Sequence, residues 1–194
     1  MQIILRSLED TRRFGALLAE MLTESRRRGR PVKAVYFFGG LGAGKTTLAA
    51  AMARALPGGE NAEAASPSFT ICNEYPTEPA MFHVDFYRLG EGCSVPDEVQ
   101  QTGDSVLVAE WAENLRDDEF EPDRIEIRLE PFSSGVLGSG DLSAENGAEN
   151  LDIFQDTCEK ERSAAINGYG CGRMAAAELW QKLELLFPVI SEDA

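Results

Sequence analysis

Residues 39–47 read Gly-Gly-Leu-Gly-Ala-Gly-Lys-Thr-Thr and lie between an apolar, β-rich run at 32–38 and a helical pattern at 48–56. They contain the P-loop pattern G-x-x-x-x-G-K-[ST] in the strand-to-helix context that this pattern requires. A buried strand that passes through a glycine turn into a helix is typical of α/β proteins. A chance glycine-rich turn is the alternative, and both flanking segments argue against it.

The chemistry of such a loop follows from its residue types. Glycine lets the backbone curl so that several N–H groups point inward and hold phosphate oxygens. The positive end of the following helix points at the same place. Lys45 is expected to reach the β- and γ-phosphates, and the Thr46 hydroxyl to bind Mg²⁺. The sequence therefore predicts ATP and Mg²⁺ as cofactors, with backbone contacts from Gly42, Ala43 and Gly44.

Two carboxylates follow buried strand patterns further along the chain. Asp85 ends the run 81–84 and Glu110 ends the run 106–109. The carboxyl ends of parallel strands form the ligand-binding edge of an open α/β sheet. One carboxylate is expected to bind the metal and the other to orient the attacking water, and the sequence leaves that division open. His83 is either an orienting partner of Asp85 or a packed core residue.

The rest of the pattern predicts the architecture. Ser7 reads as the N-cap of a helix with an apolar stripe from Phe14 to Leu22, and residues 124–130 alternate like a strand. We expect an α/β, P-loop NTPase-type three-layer sandwich with a mostly parallel central sheet and additional antiparallel strands. Residues 1–131 form the expected core. An acidic, Ser/Gly-rich insertion or linker at 132–170 and a C-terminal helix at 171–194, packed on the core, follow it.

Composition restricts the function classes. The chain has 194 residues, 18 basic and 33 acidic side chains, and a net charge of −15. This charge opposes extensive direct binding to nucleic acid. Neither a membrane-spanning apolar run nor a signal-peptide pattern is visible, so we expect a cytoplasmic protein without membrane contact. The four cysteines and one histidine are scattered, which favours free thiols over a zinc site.

Four segments together resemble one family. GGLGAGKTTL (39–48), SPSFTICNEY (66–75), HVDFYRL (83–89) and AEWAENL (109–115) occur in the order and spacing of the TsaE (YjeE) family. The resemblance extends from Ser7 to Glu130. It implies an ATPase subunit required for threonylcarbamoyladenosine modification of tRNA, slow by itself, which binds the TsaB and TsaD proteins and reaches tRNA through them.

The resemblance also implies roles for single residues. Lys45, Asp85 and Glu110 are the expected catalytic residues, and Thr46, Glu110 and Asp85 the expected metal ligands. The resemblance itself matches Asp85 to the functional aspartate of the family and ties Glu110 to Mg²⁺. Further nucleotide contacts are implied for Thr47 and, through the base, for Thr11. Trp111 pairs functionally with Glu110. The hydroxyl-rich segment at Ser66, Ser68 and Thr70 is either a γ-phosphate-sensing switch or a turn before a strand, and Ser68 stands where the family usually has threonine.

Two other functions remain open at this level. A small-molecule kinase would use the same phosphate cradle, but it would need an arginine-rich lid, and no arginine cluster is present between residues 48 and 130. A nucleotide-dependent adaptor would bind ATP and scarcely hydrolyse it. No arginine finger or activating base is evident in the sequence.

Overall fold

The computed structural model describes residues 1–62, 67, 70–99, 105–132 and 161–190. These residues form eight strands, three α-helices and three short 3-10 turns. The strands are β1 (Gln2–Leu5), β2 (Ala34–Phe38), β3 (Cys72–Tyr75), β4 (Ala80–Asp85), β5 (Ser105–Glu110), β6 (Arg124–Pro131), β7 (Arg162–Tyr169) and β8 (Val189–Ile190). The helices are α1 (Leu8–Arg27), α2 (Lys45–Ala55) and α3 (Gly172–Leu183), and the turns are Asp97–Val99, Ala112–Asn114 and Asp117–Glu119.

All eight strands form one sheet in the order β3-β4-β5-β2-β6-β7-β1-β8. The four strands β4, β5, β2 and β6 are parallel to their neighbours within this group. The outer pairs β3–β4, β6–β7, β7–β1 and β1–β8 are antiparallel. The α/β class is therefore confirmed. The sheet is parallel in its centre and antiparallel at both sides, as expected for a mostly parallel central sheet with additional antiparallel strands.

The two faces of the sheet are covered differently. Residues of α1, α2 and α3 share one apolar core with side chains such as Val35, Val108 and Ile127. The opposite core joins Tyr36 and Ala109 to side chains from connecting segments and the 3-10 turn Ala112–Asn114. Every α-helix in the described residues thus packs on one face. The expected three-layer sandwich is corrected: α-helices cover one face of the sheet, and short turns and loops cover the other.

The segment after β6 differs from the expected insertion ending at residue 170. Arg162–Tyr169 is a strand of the central sheet, paired with β6 along its whole length and with β1. Its sequence, RSAAINGY, is poor in β-branched and aromatic residues, so its propensity for strand is low. Small residues are needed here because α3 packs closely: a Cβ on Gly168 would lie 2.2 Å from the Gly172 carbonyl oxygen. Residues 133–160 lie outside the described residues.

The N-terminal helix follows the expected pattern. Ser7 Oγ accepts a hydrogen bond from the Asp10 N–H at 3.0 Å, and Phe14 and Leu18 are fully buried. No helix among the described residues has the length and apolarity required to cross a membrane. Cys72, Cys93 and Cys171 form no disulfide among the described residues, and Cys158, the fourth cysteine expected as a free thiol, lies outside them.

Candidate functional site

The parallel strands bring the expected site residues to one edge of the sheet. Phe37 of β2 pairs with Glu110 of β5, and Glu110 pairs with Asp85 of β4. The segment 39–44, here called the glycine-rich loop, leaves β2 directly beside these carboxylates and leads into α2. Backbone pairing alone therefore places the loop and both carboxylates within one small region.

Three glycines give the loop its shape. Gly39, Gly42 and Gly44 have φ values of +131°, +75° and +98°, which L side chains rarely adopt. A Cβ on Gly39 would lie 2.2 Å from the Leu129 carbonyl oxygen of β6, so the loop passes too close to that strand for any side chain. Gly44 is the N-cap of α2 and offers no side chain to the first helical N–H groups. The helix therefore begins with donors available to an external acceptor.

Lys45 lies inside the loop. Its side chain is 4% exposed, and Nζ donates hydrogen bonds to the carbonyl oxygens of Gly39 and Gly40. Nζ also lies 3.8 Å from the centroid of the Trp111 ring, which adds a cation–π contact. Burial lowers the pKa of Lys45, whereas the charges of Glu110, Glu113 and Asp85 oppose this shift. The loop thus holds a partly desolvated ammonium group on the β2 side of the carboxylates.

A chain of hydrogen bonds links the loop to β5 and β4. The Thr46 hydroxyl donates to Glu110 Oε2 at 2.9 Å, and His83 Nε2 lies 2.8 Å from Glu110 Oε1. Glu110 and His83 are 2% and 1% exposed. His83 Nδ1 has no hydrogen-bond partner among the described residues. His83 is therefore anchored through Nε2, which lies in hydrogen-bond contact with the Glu110 carboxylate.

The contact of His83 corrects one of the two expectations for this residue. The histidine orients Glu110 on the neighbouring strand, and not Asp85 on its own strand. Asp85 faces the same side but accepts through Oδ1 a hydrogen bond from the Tyr87 N–H at 2.9 Å. In the parallel register His83 lies opposite Val108, so Glu110 is its diagonal neighbour within reach of an imidazole ring.

Trp111 completes the region with a strained backbone. It has φ +57° and ψ +44°, in the left-handed region, and it precedes the 3-10 turn Ala112–Asn114. Its ring contacts Tyr87 at a centroid distance of 4.7 Å as well as Lys45. A non-glycine residue in this conformation costs about 1–3 kcal/mol and is typical of functional sites. The structure therefore places Trp111 against Lys45, and its functional role stays a prediction.

Other expected site residues stand apart from this network or outside the described residues. The Thr11 hydroxyl donates to the Ser7 carbonyl within α1 and is 2% exposed, so its expected contact with a base stays a prediction. Thr47 lies half-buried in the first turn of α2. Thr70 is exposed and its hydroxyl donates to Asn73 Oδ1 at 2.7 Å. Ser66 and Ser68, the other expected switch residues, lie outside the described residues.

The backbone next to Thr70 has an unusual conformation, which is consistent with a switch at this position. Ile71 has φ +68°, which is an outlier for a β-branched residue. Its carbonyl oxygen accepts a hydrogen bond from the Asp85 N–H at 3.0 Å. Thr70 is therefore joined to the site by the residue that follows it.

The donor set fits Mg²⁺ held jointly with a phosphate ligand. A hydroxyl and a carboxylate, Thr46 and Glu110, lie in contact, and both are oxygen ligands of the kind that Mg²⁺ prefers. Within the described residues no group of three or more His, Cys, Asp or Glu side chains could enclose a metal ion. Mg²⁺ typically uses one or two carboxylates and completes its coordination with water and substrate phosphates.

Arg162 is the residue at this edge that sequence reasoning missed. Its Nε lies 3.3 Å from the position that a Cβ on Gly44 would occupy. The sequence places Arg162 within the expected insertion, and the low strand propensity of RSAAINGY hides the strand that carries it. The sequence signal that could have indicated this strand is an arginine followed by an alternating stretch, and this signal is weak.

Substitution of His83 tests its contact with Glu110. If Glu110 binds Mg²⁺, we expect His83→Asn to raise the Mg²⁺ concentration needed for half-maximal nucleotide binding about tenfold, since the hydrogen-bond partner of a metal-binding carboxylate typically contributes about 10–100-fold in metal affinity. Titration of Mg²⁺ at fixed ATP measures this. His83→Gln is the matched control because its amide reaches the place of Nε2 and still donates. Equal Mg²⁺ requirements for His83→Asn and the unsubstituted protein would contradict the positioning role.

Comparison with known proteins places the chain among characterised sequences. The family model described as "Threonylcarbamoyl adenosine biosynthesis protein TsaE" matches residues 5–135. A protein of Haemophilus influenzae named "tRNA threonylcarbamoyladenosine biosynthesis protein TsaE" is 35% identical over 163 residues, which cover 80% of this chain and 84% of that protein. Proteins of the same name from Aquifex aeolicus and Treponema pallidum are 34% and 32% identical. They match 58% and 59% of this chain and 77% and 81% of their own lengths.

Proposed function

The chain belongs to the TsaE family, and on that basis we propose that it is a Mg²⁺-dependent ATPase subunit required for threonylcarbamoyladenosine modification of tRNA. The resemblance that the four motifs indicated is thereby confirmed at the level of the family. The observation that carries the proposed activity is the contact of Thr46, the first hydroxyl after the loop lysine, with the buried carboxylate of Glu110. This contact joins a phosphate-binding sequence motif to a ligand for the metal that accompanies phosphates.

The glycine-rich loop would hold the phosphate chain. Its backbone N–H groups and the uncapped start of α2 provide hydrogen-bond donors, and Lys45 provides a positive charge already inside the loop. The hydrogen bonds that Nζ makes to the Gly39 and Gly40 carbonyls keep the ammonium group there. Because Lys45 is largely removed from water, its attraction for an anion is stronger than at the protein surface. This arrangement supports a P-loop NTPase type of site in a protein of net charge −15.

The carboxylates would divide their work according to their contacts. Glu110, with Thr46 on one oxygen and His83 on the other, is suited to bind Mg²⁺. Asp85 lies one strand away, 3% exposed, and is held by the Tyr87 N–H, which suits it to orient water. Bound ATP would supply the γ-phosphoryl group, and Mg²⁺ would neutralise the charge that develops on it.

Two exposed apolar side chains near the site support a protein partner. Leu41, at the tip of the glycine-rich loop, is 88% exposed, and Tyr87, beside Trp111, is 56% exposed. Large exposed apolar patches mark protein–protein contacts, and these two side chains leave apolar surface beside the site for such a contact. We propose that the TsaB–TsaD pair is this partner and that tRNA is reached through it, since the acidic surface of this chain repels a phosphate backbone.

Phosphate release measured in four mixtures tests this function: the protein alone, with TsaB and TsaD, with tRNA, and with all three. We expect slow release from the protein alone and at least about tenfold faster release with TsaB and TsaD, because a partner can supply a cation, such as an arginine finger, that stabilises the charge of the transition state. Activity insensitive to the partners would contradict the proposal. Transfer of the phosphoryl group to an added metabolite would favour a kinase, and tight ATP binding without release would favour an adaptor.

A further inference from the structure

Arg162 lies against the last glycine of the loop. It is the first residue of β7, where its backbone pairs with Pro131 of β6 and Leu5 of β1. Nε, Cδ and Cζ of Arg162 lie 3.3, 3.5 and 3.7 Å from the position of a Cβ on Gly44. The absence of a side chain at Gly44 thus lets the guanidinium approach the beginning of α2.

No acidic side chain in the part of the chain that the structure describes pairs with Arg162. Within the described residues its guanidinium makes no ion pair or hydrogen bond. The adjacent Glu161 is paired instead with Arg6, at 3.5 Å. Arg162 also faces groups of its own sign, because the N-terminal end of α2 is positive and Lys45 follows Gly44 directly. A half-buried cation among positive groups, in a protein of net charge −15, indicates a place that an anion occupies.

We infer that Arg162 contacts the phosphate chain of the nucleotide that the glycine-rich loop binds. This inference rests on the proposed function and adds a second side-chain cation to it, supplied by the strand that follows residues 133–160. Arg162 is then a binding residue in the same chain, and the protein does not depend on Lys45 alone for its attraction to phosphate. The planar guanidinium offers two donors to neighbouring phosphate oxygens, whereas lysine offers a point charge.

Equilibrium titration of the full-length protein with Mg·ATP tests the inference. We expect Arg162→Gln to weaken ATP binding about tenfold or more, which is typical for the loss of a charge-assisted hydrogen bond. Arg162→Lys should recover part of the loss because it restores the charge without the fork. Arg173→Gln is the matched control because it removes the same charge elsewhere. Arg173 is exposed at the start of α3, at the other end of β7.

Each result has a definite meaning. If Arg162→Gln binds ATP within about twofold of the unsubstituted protein, the inference is overturned and the proposed function stands. If Arg173→Gln loses as much ATP affinity as Arg162→Gln, the effect is due to net charge, and the inference is overturned as well. No ATP binding by the folded, unsubstituted protein would overturn the proposed function and the inference with it. If thermal melting shows that Arg162→Gln is unfolded, Arg162→Lys decides: weaker ATP binding at an unchanged melting temperature supports the contact, and unchanged binding overturns it.

Discussion

Replacement of Lys45 by alanine is expected to reduce ATP affinity about 100-fold and to abolish ATP-dependent support of the tRNA modification. The ammonium group is the cation inside the glycine-rich loop, and charge-assisted hydrogen bonds to phosphate are among the strongest in proteins. The fold is expected to survive. The variant loses the hydrogen bonds to Gly39 and Gly40, but it also no longer buries a charge, and the two effects on stability oppose each other. Titration with Mg·ATP and thermal melting measure the two effects separately.

The same substitution changes how stability depends on pH. Burial lowers the pKa of Lys45 from its ordinary value of 10.5, so between the lowered value and 10.5 the unfolded chain binds more protons at this residue than the folded one. The free energy of unfolding contributed by Lys45 therefore rises as the pH increases through that window. Lys45→Ala removes this contribution, so the unsubstituted protein is expected to gain stability relative to the variant as the pH rises through that window towards 10.5. Urea unfolding at several pH values measures the difference.

Lys182→Ala is the control for Lys45→Ala. Lys182 is half-exposed on α3 and pairs with Glu20, far from the loop in sequence. Surface ion pairs contribute about 0–1 kcal/mol, so this variant should bind ATP normally. Unchanged ATP binding by Lys45→Ala would remove the glycine-rich loop from the mechanism. Loss of ATP binding by both variants would instead indicate a general effect of charge.

Replacement of Glu110 by glutamine is expected to lower Mg²⁺-dependent hydrolysis about 100-fold or more. The two carboxylate oxygens accept from Thr46 and His83, whereas a glutamine amide has one acceptor oxygen and presents N–H groups to the other donor. The variant therefore loses both a hard metal ligand and the contacts that orient it. Initial rates across a range of Mg²⁺ concentrations, together with ATP binding in the presence of EDTA, separate metal binding from nucleotide binding.

Two further variants give this result its meaning. Glu113→Gln removes the same charge three residues later, at an exposed position in the 3-10 turn, and should leave the Mg²⁺ requirement unchanged. Asp85→Asn keeps an oxygen acceptor for the Tyr87 N–H and is expected to slow turnover with little change in the Mg²⁺ requirement. If Asp85→Asn shifted the Mg²⁺ requirement more than Glu110→Gln did, the proposed division between the carboxylates would be reversed.

The parts of the site that local sequence predicted are those in which local chemistry is sufficient. The strand before the loop, the helix from Lys45 and the Ser7 cap depend on apolar periodicity and on turn and capping residues within a few positions of each other. The placement of Asp85 and Glu110 followed from a general property of parallel strands, whose carboxyl ends meet at one edge. The structure agrees at each of these places.

The parts that sequence reasoning missed depend on contacts between distant segments. Of the two alternatives for His83, the orienting one paired it with Asp85, but strand register directs it to Glu110, and register is not visible in a single strand. The expected three-layer sandwich was wrong in its third layer, which consists of turns and loops and contains no α-helix among the described residues. Apolar periodicity does not indicate which face of a sheet a connecting segment covers. The strand β7 was placed in an insertion because its sequence has low strand propensity. Its alanines and glycine allow the close approach of α3.

The sequence by itself determined the family, the α/β class and the glycine-rich loop with Lys45 and Thr46, because a phosphate-binding turn is a local structure with fixed residue requirements. Only the tertiary structure decided that Thr46, Glu110 and His83 form one hydrogen-bonded chain, that Trp111 lies against Lys45, and that Arg162 reaches Gly44. These contacts join residues from different strands, and their geometry follows from sheet order and register. Long-range packing sets both, and the spacing of residues along the chain does not.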